Sequence, residues 1–233
     1  MALVIDIETA SVPWESLGSK WQERIMERAR RHDEGAEEET VKDTLGLSPY
    51  TAKIIVIGML DTKKNSGFVL FDAPKSFKEN FSNDQVTFKV TSEPEMLKTF
   101  WEVVKRYDEF VTYNGRQFDM PFIYIRSAIN KITPTKDLMK NRYLNYQPND
   151  AKHIDLYDQL SFYGSFRFAV GGSLDMACRA FGIDTPKDGE LDGSKVSEYY
   201  HKGKIRQIAE YNYRDLIATN ELFDYYRRYL QLS

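Results

Sequence analysis

The 233-residue chain carries 42% hydrophobic and 29% charged residues, which is typical of a folded protein large enough to bury a sizeable core. Its net charge of −3 argues against a large, sequence-independent footprint on duplex DNA, but leaves room for a narrow channel that takes one strand end. A single cysteine excludes an intrachain disulfide, and with only three histidines no zinc site is expected.

The predicted organisation is a single domain over residues 1–233, because no internal repeat, low-complexity tract or linker divides the sequence. No apolar run approaches the ~20 residues that a membrane span needs. The first strand follows Met1 directly, so no signal peptide is expected. These features predict a cytoplasmic protein without a membrane segment.

The first predicted strand carries two acidic side chains at its end. Residues 3–5 are apolar and mostly β-branched, and Asp6 and Glu8 follow with Ile7 between them. Residues i and i+2 of a strand point to the same face, so these two carboxylates lie side by side. A divalent cation would offset their repulsion. The alternative is that both lie past the strand end in water or meet an arginine, and this stretch alone leaves both open.

A mixture of strands and helices follows and predicts an α/β protein. Residues 10–52 form a polar insertion between the first two strands, with a helix over 20–32 and an exposed acidic loop over 33–39. Residues 53–60 and 67–71 predict an antiparallel hairpin, and residues 77–90 an irregular strand. The later predicted elements are a helix after Ser92, a strand over 110–113, a helix after Gly115, a strand or helix from His153 and a loop over 161–172. Ser173 caps a helix over 174–181 that stops at Gly182. The last element is a long helix over 203–230, whose inner face carries Ile205, Ile208, Ala209, Asn212, Leu216, Thr219, Leu222 and Phe223.

A second acidic position is Asp119, which stands just ahead of a predicted helix with Pro121 in its first turn. Taken by itself, this stretch favours a helix N-cap. A cap and a metal-site role are compatible, however, because the helix begins at the carboxyl edge of a strand, where open sheets place their sites.

The third stretch lies on the long last helix, where Tyr211 and Asp215 are four residues apart and share a face. In isolation, Asp215 is better explained as a surface residue paired with Arg214 or Arg206. The three stretches together supply four carboxylates next to apolar core, a cluster that only hard cations offset. All-oxygen ligands indicate Mg²⁺ or Mn²⁺, and two such ions about 4 Å apart support phosphoryl displacement.

These stretches resemble the three motifs of the DEDD 3′–5′ exonucleases, in the right order. The motifs are Asp6 to Thr9 (DIET), Asn114 to Asp119 (N-x-x-x-F-D) and Tyr211 to Asp215 (Y-x-x-x-D). The likeness is greatest to the tyrosine subclass, and especially to stand-alone proteins similar to the proofreading domain of B-family DNA polymerases. The other subclass has a histidine five residues before the last aspartate, where this chain has Glu210.

The resemblance implies a ribonuclease H-like fold, with a central mixed sheet flanked by helices. It also implies that Asp6, Glu8 and Asp215 hold the first of two Mg²⁺ or Mn²⁺ ions. Asp6 would bridge to the second ion, and Asp119 would act through metal-bound water. Tyr211 would hydrogen-bond the attacking water and orient it.

The implied function is metal-dependent 3′–5′ hydrolysis of single-stranded nucleic acid, with DNA favoured, to release 5′-mononucleotides. The alternatives are an RNA 3′-end-processing exoribonuclease or a catalytically silent single-strand-binding module of the same fold. Thr9, Asn114 and Phe118 flank the motifs and are the candidates for the 3′-end pocket. The chain lacks polymerase motifs, so a proofreading role would need a separate polymerase or repair partner.

Two further interpretations stay open at this point. Phe162, Tyr163, Phe166 and Arg167 could form a loop that stacks on bases, although plain core packing is the more usual role of such residues. Asp155 could support the acidic site from behind or could only cap the end of a strand.

Overall fold

The computed structural model describes residues 1–74, 77, 79–165, 172–184 and 191–231. Within these residues, seven strands form one mixed sheet in the order β4-β5-β3-β2-β1-β6-β7. The strands are β1 (Ala2–Ser11), β2 (Ala52–Asp61), β3 (Ser66–Phe71), β4 (Phe81–Ser82), β5 (Val86–Val90), β6 (Glu109–Thr112) and β7 (Lys152–Asp155). Strand β1 lies inside the sheet, antiparallel to β2 on one side and parallel to β6 on the other.

Helices cover both faces of the sheet. They are α1 (Ser19–His32), α2 (Glu38–Thr44), α3 (Glu93–Val104), α4 (Asp119–Ile129), α5 (Leu156–Leu160), α6 (Leu174–Phe181), α7 (Val196–His201) and α8 (Ile205–Tyr229). Alternate residues of β1 face opposite layers, as a strand requires. Val4 packs in the layer that contains α8, whereas Leu3 and Ile5 pack in the layer that contains α3 and α4.

The long helix α8 has the inner face that the sequence predicted. Ile208, Leu216, Leu222 and Phe223 are buried against the sheet, with at most 1% of their surface exposed. Asn212 lies on the same face and is 0% exposed, although its carboxamide is polar. Helix α8 therefore carries polar side chains into the protein interior at its N-terminal half, beside β1.

Strand β1 is longer than predicted, and this is a correction. Asp6 and Glu8 are not at the strand's end, because β1 stays paired with β2 as far as Ser11. Pairing with β6 reaches only from Ala2 to Val4. The β6 side of β1 is therefore open beside the two acidic residues, and a register shift between Glu8 and Thr9 adds a local irregularity.

The segment between β1 and β2 is more structured than the polar sequence suggested. The predicted helix over 20–32 is confirmed as α1, but the acidic loop ends at residue 37, where α2 follows. Trp14, Met26, Val41 and Leu45 form a small apolar cluster of their own. The apolar side of α2 is too short to produce a periodic pattern, which is why the sequence did not reveal it.

Other predictions are confirmed, with some changes in detail. Strands β2 and β3 form the antiparallel hairpin, and Ser173 caps α6, which ends at the left-handed Gly182. The irregular strand predicted within residues 77–90 becomes two strands, β4 and β5, and β5 runs parallel to β3. The open choice after His153 resolves into both elements, β7 followed by α5. Helix α7 was not predicted.

Residues 161–165 of the predicted loop form turns, while residues 166–171 lie outside the described part of the chain. Among the described residues, no helix combines the length and the apolar character that crossing a membrane would require.

Candidate active site

Three carboxylates from the two ends of the chain meet on one face of the sheet. Asp6, Glu8 and Asp215 each place an oxygen so that all three atoms lie within 4.8 Å of one another. Strand β1 supplies the first two side chains, and α8 crosses the same face to supply the third. Asp215 is only 7% exposed, so the interpretation as a surface residue is wrong, and Arg206 pairs instead with Glu210.

Asp119 joins this group from the other side of β1. Its Oδ1 accepts a hydrogen bond of 3.0 Å from the backbone N–H of Ile7, and the side chain is 4% exposed. The N–H of Ile7 is free for this bond because β1–β6 pairing stops at Val4. Phe118, not Asp119, occupies the N-cap position of α4, so the N-cap interpretation is wrong.

The four residues Asp6, Glu8, Asp119 and Asp215 are called the carboxylate cluster below. Burial raises the pKa of Asp6 and of Glu8 well above their usual values, and the other members of the cluster raise both further. Burial also raises the pKa of Asp119 to about 7. Crowded, buried anions of this kind are costly without a counter-ion.

The donor atoms of the cluster fit a hard divalent cation. Within the described residues, the group whose atoms are close enough to share an ion contains only carboxylates, with no histidine or cysteine. Mg²⁺ and Mn²⁺ prefer such oxygen ligands, whereas Zn²⁺ prefers nitrogen and sulfur. Ion binding would also keep the carboxylates ionised, against the effect of their burial.

Tyr211 lies one helical turn before Asp215 and is hydrogen-bonded to it. Burial raises the pKa of the Tyr211 phenol well above its usual value, and the neighbouring carboxylates act in the same direction. The hydroxyl therefore stays protonated at neutral pH and can only donate its proton into a hydrogen bond or accept one.

Asn212 is a member of the site that the sequence placed only on the inner face of the helix. Its Nδ2 donates a hydrogen bond of 2.7 Å to Oδ2 of Asp6. This bond lowers the pKa of Asp6, and a hydrogen bond from the same residue lowers that of Glu8. One sequence feature could have identified Asn212 as a site residue. It is an asparagine within an apolar helical stripe, one residue after the tyrosine of the third motif.

Asp155 makes both kinds of contact that the sequence left open, a cap and hydrogen bonds behind the acidic site. Its carboxylate accepts from the backbone N–H of Tyr157 and so caps α5. It also accepts from the N–H groups of Asn114 and Arg116, each at 2.8 Å, and thereby holds the loop that leads to Asp119. Burial raises its pKa to about 6.

The three residues predicted to contact substrate lie next to these elements. The Thr9 hydroxyl, beside Glu8, donates to the carbonyl oxygen of Gly46 at 2.7 Å. Asn114 has a left-handed backbone with φ of 61°. Phe118 is half-buried, with its ring 5.3 Å from that of Phe122. Their contacts with substrate remain a prediction.

The aromatic loop is only partly described. Phe162 is 61% exposed, which is not the position of a core residue, and the hydroxyl of Tyr163 accepts from Gln159. Phe166 and Arg167 lie outside the described residues.

Comparison with known proteins identifies the family. Residues 47–231 match a family described as predicted 3′–5′ exonucleases related to the exonuclease domain of PolB. The chain belongs to this family. The matched range contains Asp119, Tyr211 and Asp215, whereas Asp6 and Glu8 precede it.

Curated relatives of this PolB-related chain are much larger proteins. The catalytic polypeptide of DNA polymerase epsilon from Emericella nidulans is 26% identical over 150 residues, which are 63% of this chain and 7% of the polymerase. DNA polymerase 1 of Sulfurisphaera ohwakuensis is 29% identical over 143 residues, 58% of this chain and 15% of that protein. The DNA polymerase of Methanocaldococcus jannaschii is 28% identical over 162 residues, 65% of this chain and 9% of that protein. The chain thus spans a small part of each relative.

The fold agrees with a solved member of the B-family polymerases. The family B DNA polymerase from Pyrobaculum calidifontis superposes with a TM-score of 0.61 at 16% identity, covering 97% of this chain and 24% of the polymerase. The predicted α/β, ribonuclease H-like fold, with a central mixed sheet flanked by helices, is thereby confirmed.

Proposed function

We propose that this chain is a metal-dependent 3′–5′ exonuclease that hydrolyses single-stranded nucleic acid, DNA in preference to RNA, and releases 5′-mononucleotides. The observation that carries this proposal is that Asp6, Glu8 and Asp215 bring oxygens within 4.8 Å of one another, with Asp119 near enough for the charge of Asp215 to raise its pKa. Membership of a family of predicted 3′–5′ exonucleases supports the direction of attack.

The carboxylate cluster would hold two Mg²⁺ or Mn²⁺ ions. When bound, such ions stabilise the attacking and leaving oxygens of a phosphodiester displacement. Asp6, Glu8 and Asp215 form the compact part of the cluster and would provide most of the ligands. Asp119 is held by its hydrogen bond from the Ile7 amide and would complete the site.

Tyr211 would orient the attacking water and would not remove its proton. Its hydroxyl is protonated at neutral pH for the reasons given above, and it lies beside Asp215. The hydroxyl therefore offers a fixed hydrogen-bonding partner at the place where water must be aligned. With this role for Tyr211, the chain would belong to the tyrosine subclass of the DEDD exonucleases.

The substrate preference and the partner are inferred from the relatives. These relatives are DNA polymerases, and their names favour DNA over RNA as the substrate. Since the chain spans only a small part of each, the polymerase activity of these relatives is not carried over to it, and a polymerase or repair partner is part of the proposal. Thr9, Asn114 and Phe118 are proposed to border the 3′-terminal nucleotide, with Phe118 supplying an apolar surface for its base.

We further infer that residues 1–233 act as one domain, in which the predicted insertion over 10–52 corresponds to residues 12–51 between β1 and β2. The support is that β1 and α8 complete one carboxylate cluster although they lie at opposite ends of the described chain. The inserted segment also reaches this region, because the Gly46 carbonyl oxygen accepts from Thr9.

A strand-degradation assay tests the function. A 5′-labelled single strand, in matched DNA and RNA versions, is incubated with Mg²⁺ or Mn²⁺ and the protein. The wild type should produce a ladder that shortens from the 3′ end, faster on DNA. Asp215→Asn should slow it at least 100-fold, since loss of groups that merely support ligands costs about 10- to 100-fold.

The matched control is Asp61→Asn, because Asp61 is 3% exposed but pairs with Leu3 in the β1–β2 ladder, away from the cluster. It should keep the wild-type ladder. Faster loss of RNA would favour the exoribonuclease. Tight strand binding without cleavage in either metal would favour the silent binding module, and cleavage of a circular single strand would indicate an endonuclease.

A further inference from the structure

We infer that Asn212 is a positioning residue that fixes the Asp6 carboxylate for cation binding. We also infer that position 58 must be glycine because the Asn212 carboxamide occupies the space of a side chain there. Both statements rest on the proposed function of the carboxylate cluster, and they identify two residues that complete its support.

The geometry of Asn212 is that of a dedicated donor. The residue is 0% exposed, and its Nδ2 lies 2.7 Å from Oδ2 of Asp6. Its Oδ1 is buried and has no hydrogen-bond partner among the described residues. An unmet buried acceptor costs stability, and Asn220 on the same helix has one too; what distinguishes Asn212 is that its donor end bonds a member of the carboxylate cluster. Here the donor end is used, and it is used on a residue of the cluster.

Gly58 makes this arrangement possible. It lies directly opposite Asp6 in the β1–β2 ladder. A Cβ atom at position 58 would stand 2.1 Å from Oδ1 of Asn212 and 2.7 Å from Cδ1 of Leu216. Neither distance is possible without movement. A larger residue would therefore push the carboxamide away from Asp6.

A neutral donor suits the cluster better than a positive one. Asp6 is repelled by the other carboxylates, and it is the one member with an intermediate rather than a buried side chain. A hydrogen bond to one of its oxygens opposes rotation and outward movement of the carboxylate. A lysine or arginine would do the same but would compete with the cation, whereas an amide adds no charge.

The first test measures cation binding directly, without reference to activity. Mn²⁺ is titrated into the wild type, Asn212→Leu and Asn220→Leu by calorimetry, and thermal unfolding is recorded for each without metal. Asn220 is the matched control, because it is a buried asparagine on the same helix whose Oδ1 also lacks a partner among the described residues. Asn212→Leu should bind Mn²⁺ about 10- to 100-fold more weakly, as expected for loss of a group that orients a ligand.

Asn220→Leu should change thermal stability but leave Mn²⁺ affinity at the wild-type value. Equal Mn²⁺ affinity in the wild type and in folded Asn212→Leu would overturn the inference. So would an equal loss of affinity in both leucine variants, because it would indicate a general effect of helix α8. Should Asn212→Leu not fold, Asn212→Ala is used for the same comparison.

A double-mutant cycle tests the role of Gly58. Gly58→Ala in the wild type should weaken Mn²⁺ binding by a factor similar to that of Asn212→Ala. In the Asn212→Ala background, Gly58→Ala should add less than about a twofold effect, because the carboxamide that it displaces is gone. If the two substitutions weakened Mn²⁺ binding independently, so that their factors multiplied in the double variant, the proposed dependence of Gly58 on Asn212 would be overturned.

These outcomes are distinguishable from failure of the proposed function. If the wild type binds Mn²⁺ but produces no ladder on any strand, the exonuclease proposal fails while the positioning role stands on the affinities. If the wild type degrades the strand and Asn212→Leu matches it in Mn²⁺ affinity, the positioning role fails and the exonuclease stands.

Discussion

Ile7 and Asp119 are joined by a hydrogen bond of 3.0 Å that connects β1 to the first residue of α4. The donor is the backbone amide between the two acidic residues of β1, so the bond sets the position of Asp119 relative to both. A strand–helix contact thereby fixes the spacing of the carboxylate cluster, independently of any ion.

The bond predicts different outcomes for two substitutions of Asp119. Asp119→Asn keeps an oxygen that can accept from Ile7 and removes one negative charge from a buried, crowded group. The metal-free protein should therefore become more stable by about 0.5–2 kcal/mol, as is common when a functional site is neutralised. Asp119→Ala leaves the Ile7 amide without its acceptor and should lower stability.

Thermal unfolding in EDTA and then in Mn²⁺ checks this pair of expectations. Mn²⁺ should raise the Tm of the wild type more than that of Asp119→Asn, since the variant has lost a cluster member. A lower Tm of Asp119→Asn than of the wild type in EDTA would show that the repulsion described here does not limit stability.

Tyr211→Phe should reduce the rate of strand degradation by roughly 10- to 100-fold, which corresponds to loss of a hydrogen bond of about 1.5–3 kcal/mol at a charged site. Mn²⁺ affinity should fall by a smaller factor than the rate, because the phenol bonds Asp215 but all four carboxylates of the cluster remain. Rates at saturating Mn²⁺ and calorimetric affinities separate the two effects. A large fall in affinity would instead place the hydroxyl among the groups that hold the ion.

Asp155→Asn should destabilise the loop before Asp119. The two carboxylate oxygens accept separately from the Asn114 and Arg116 amides, and an asparagine can supply only one acceptor oxygen. One buried N–H then faces an NH₂ group and has no acceptor, which should lower the free energy of unfolding by about 1–3 kcal/mol. Urea unfolding should show this loss, and strand degradation should slow as Asp119 becomes less fixed. Unchanged stability would mean that the loop is held by other contacts.

Buried His153 should make the stability of the folded protein depend on pH, independently of the carboxylate cluster. Its Nδ1 lies 3.2 Å from the Leu138 carbonyl oxygen, which can only accept, so Nε2 accepts from the Thr112 hydroxyl at 2.8 Å. Burial lowers the pKa of this histidine to about 3. The folded state therefore holds a neutral imidazole where the unfolded chain, with a pKa near 6.5, takes up a proton.

The contribution of neutral His153 to the free energy of unfolding is complete above about pH 6.5 and is lost as the pH falls toward 3. Well below pH 6.5 the loss amounts to roughly 1.4 kcal/mol per pH unit. Urea unfolding of the wild type and His153→Asn at several pH values checks the difference between them. The difference in the free energy of unfolding between the wild type and His153→Asn should become smaller as the pH falls. A difference that stays constant with pH would contradict a buried, neutral His153.

The sequence predicted those parts of the site that depend on local pattern. The i, i+2 spacing of Asp6 and Glu8 and the i, i+4 spacing of Tyr211 and Asp215 each determine a shared face, whatever the rest of the fold does. The apolar stripe of α8 was predictable for the same reason, because it depends only on the spacing of residues along one helix.

Contacts between distant parts of the chain were not predictable. The Asp119–Ile7 bond spans 112 positions and the Asn212–Asp6 bond 206, so no local pattern carries either. The true extent of β1 depends on β2 as a long partner and β6 as a short one. Likewise, the need for glycine at position 58 appears only when α8 lies across the sheet.

The long separation between Asp6 and Asn212 also has a consequence for biosynthesis. Translation proceeds from the N-terminus, so β1 leaves the ribosome about 200 residues before the helix that completes the carboxylate cluster. A nascent chain that lacks α8 has no Asp215 and no donor for Asp6. Any nuclease activity would therefore arise only after that helix has docked. An incompletely synthesised chain would not cleave nearby nucleic acid.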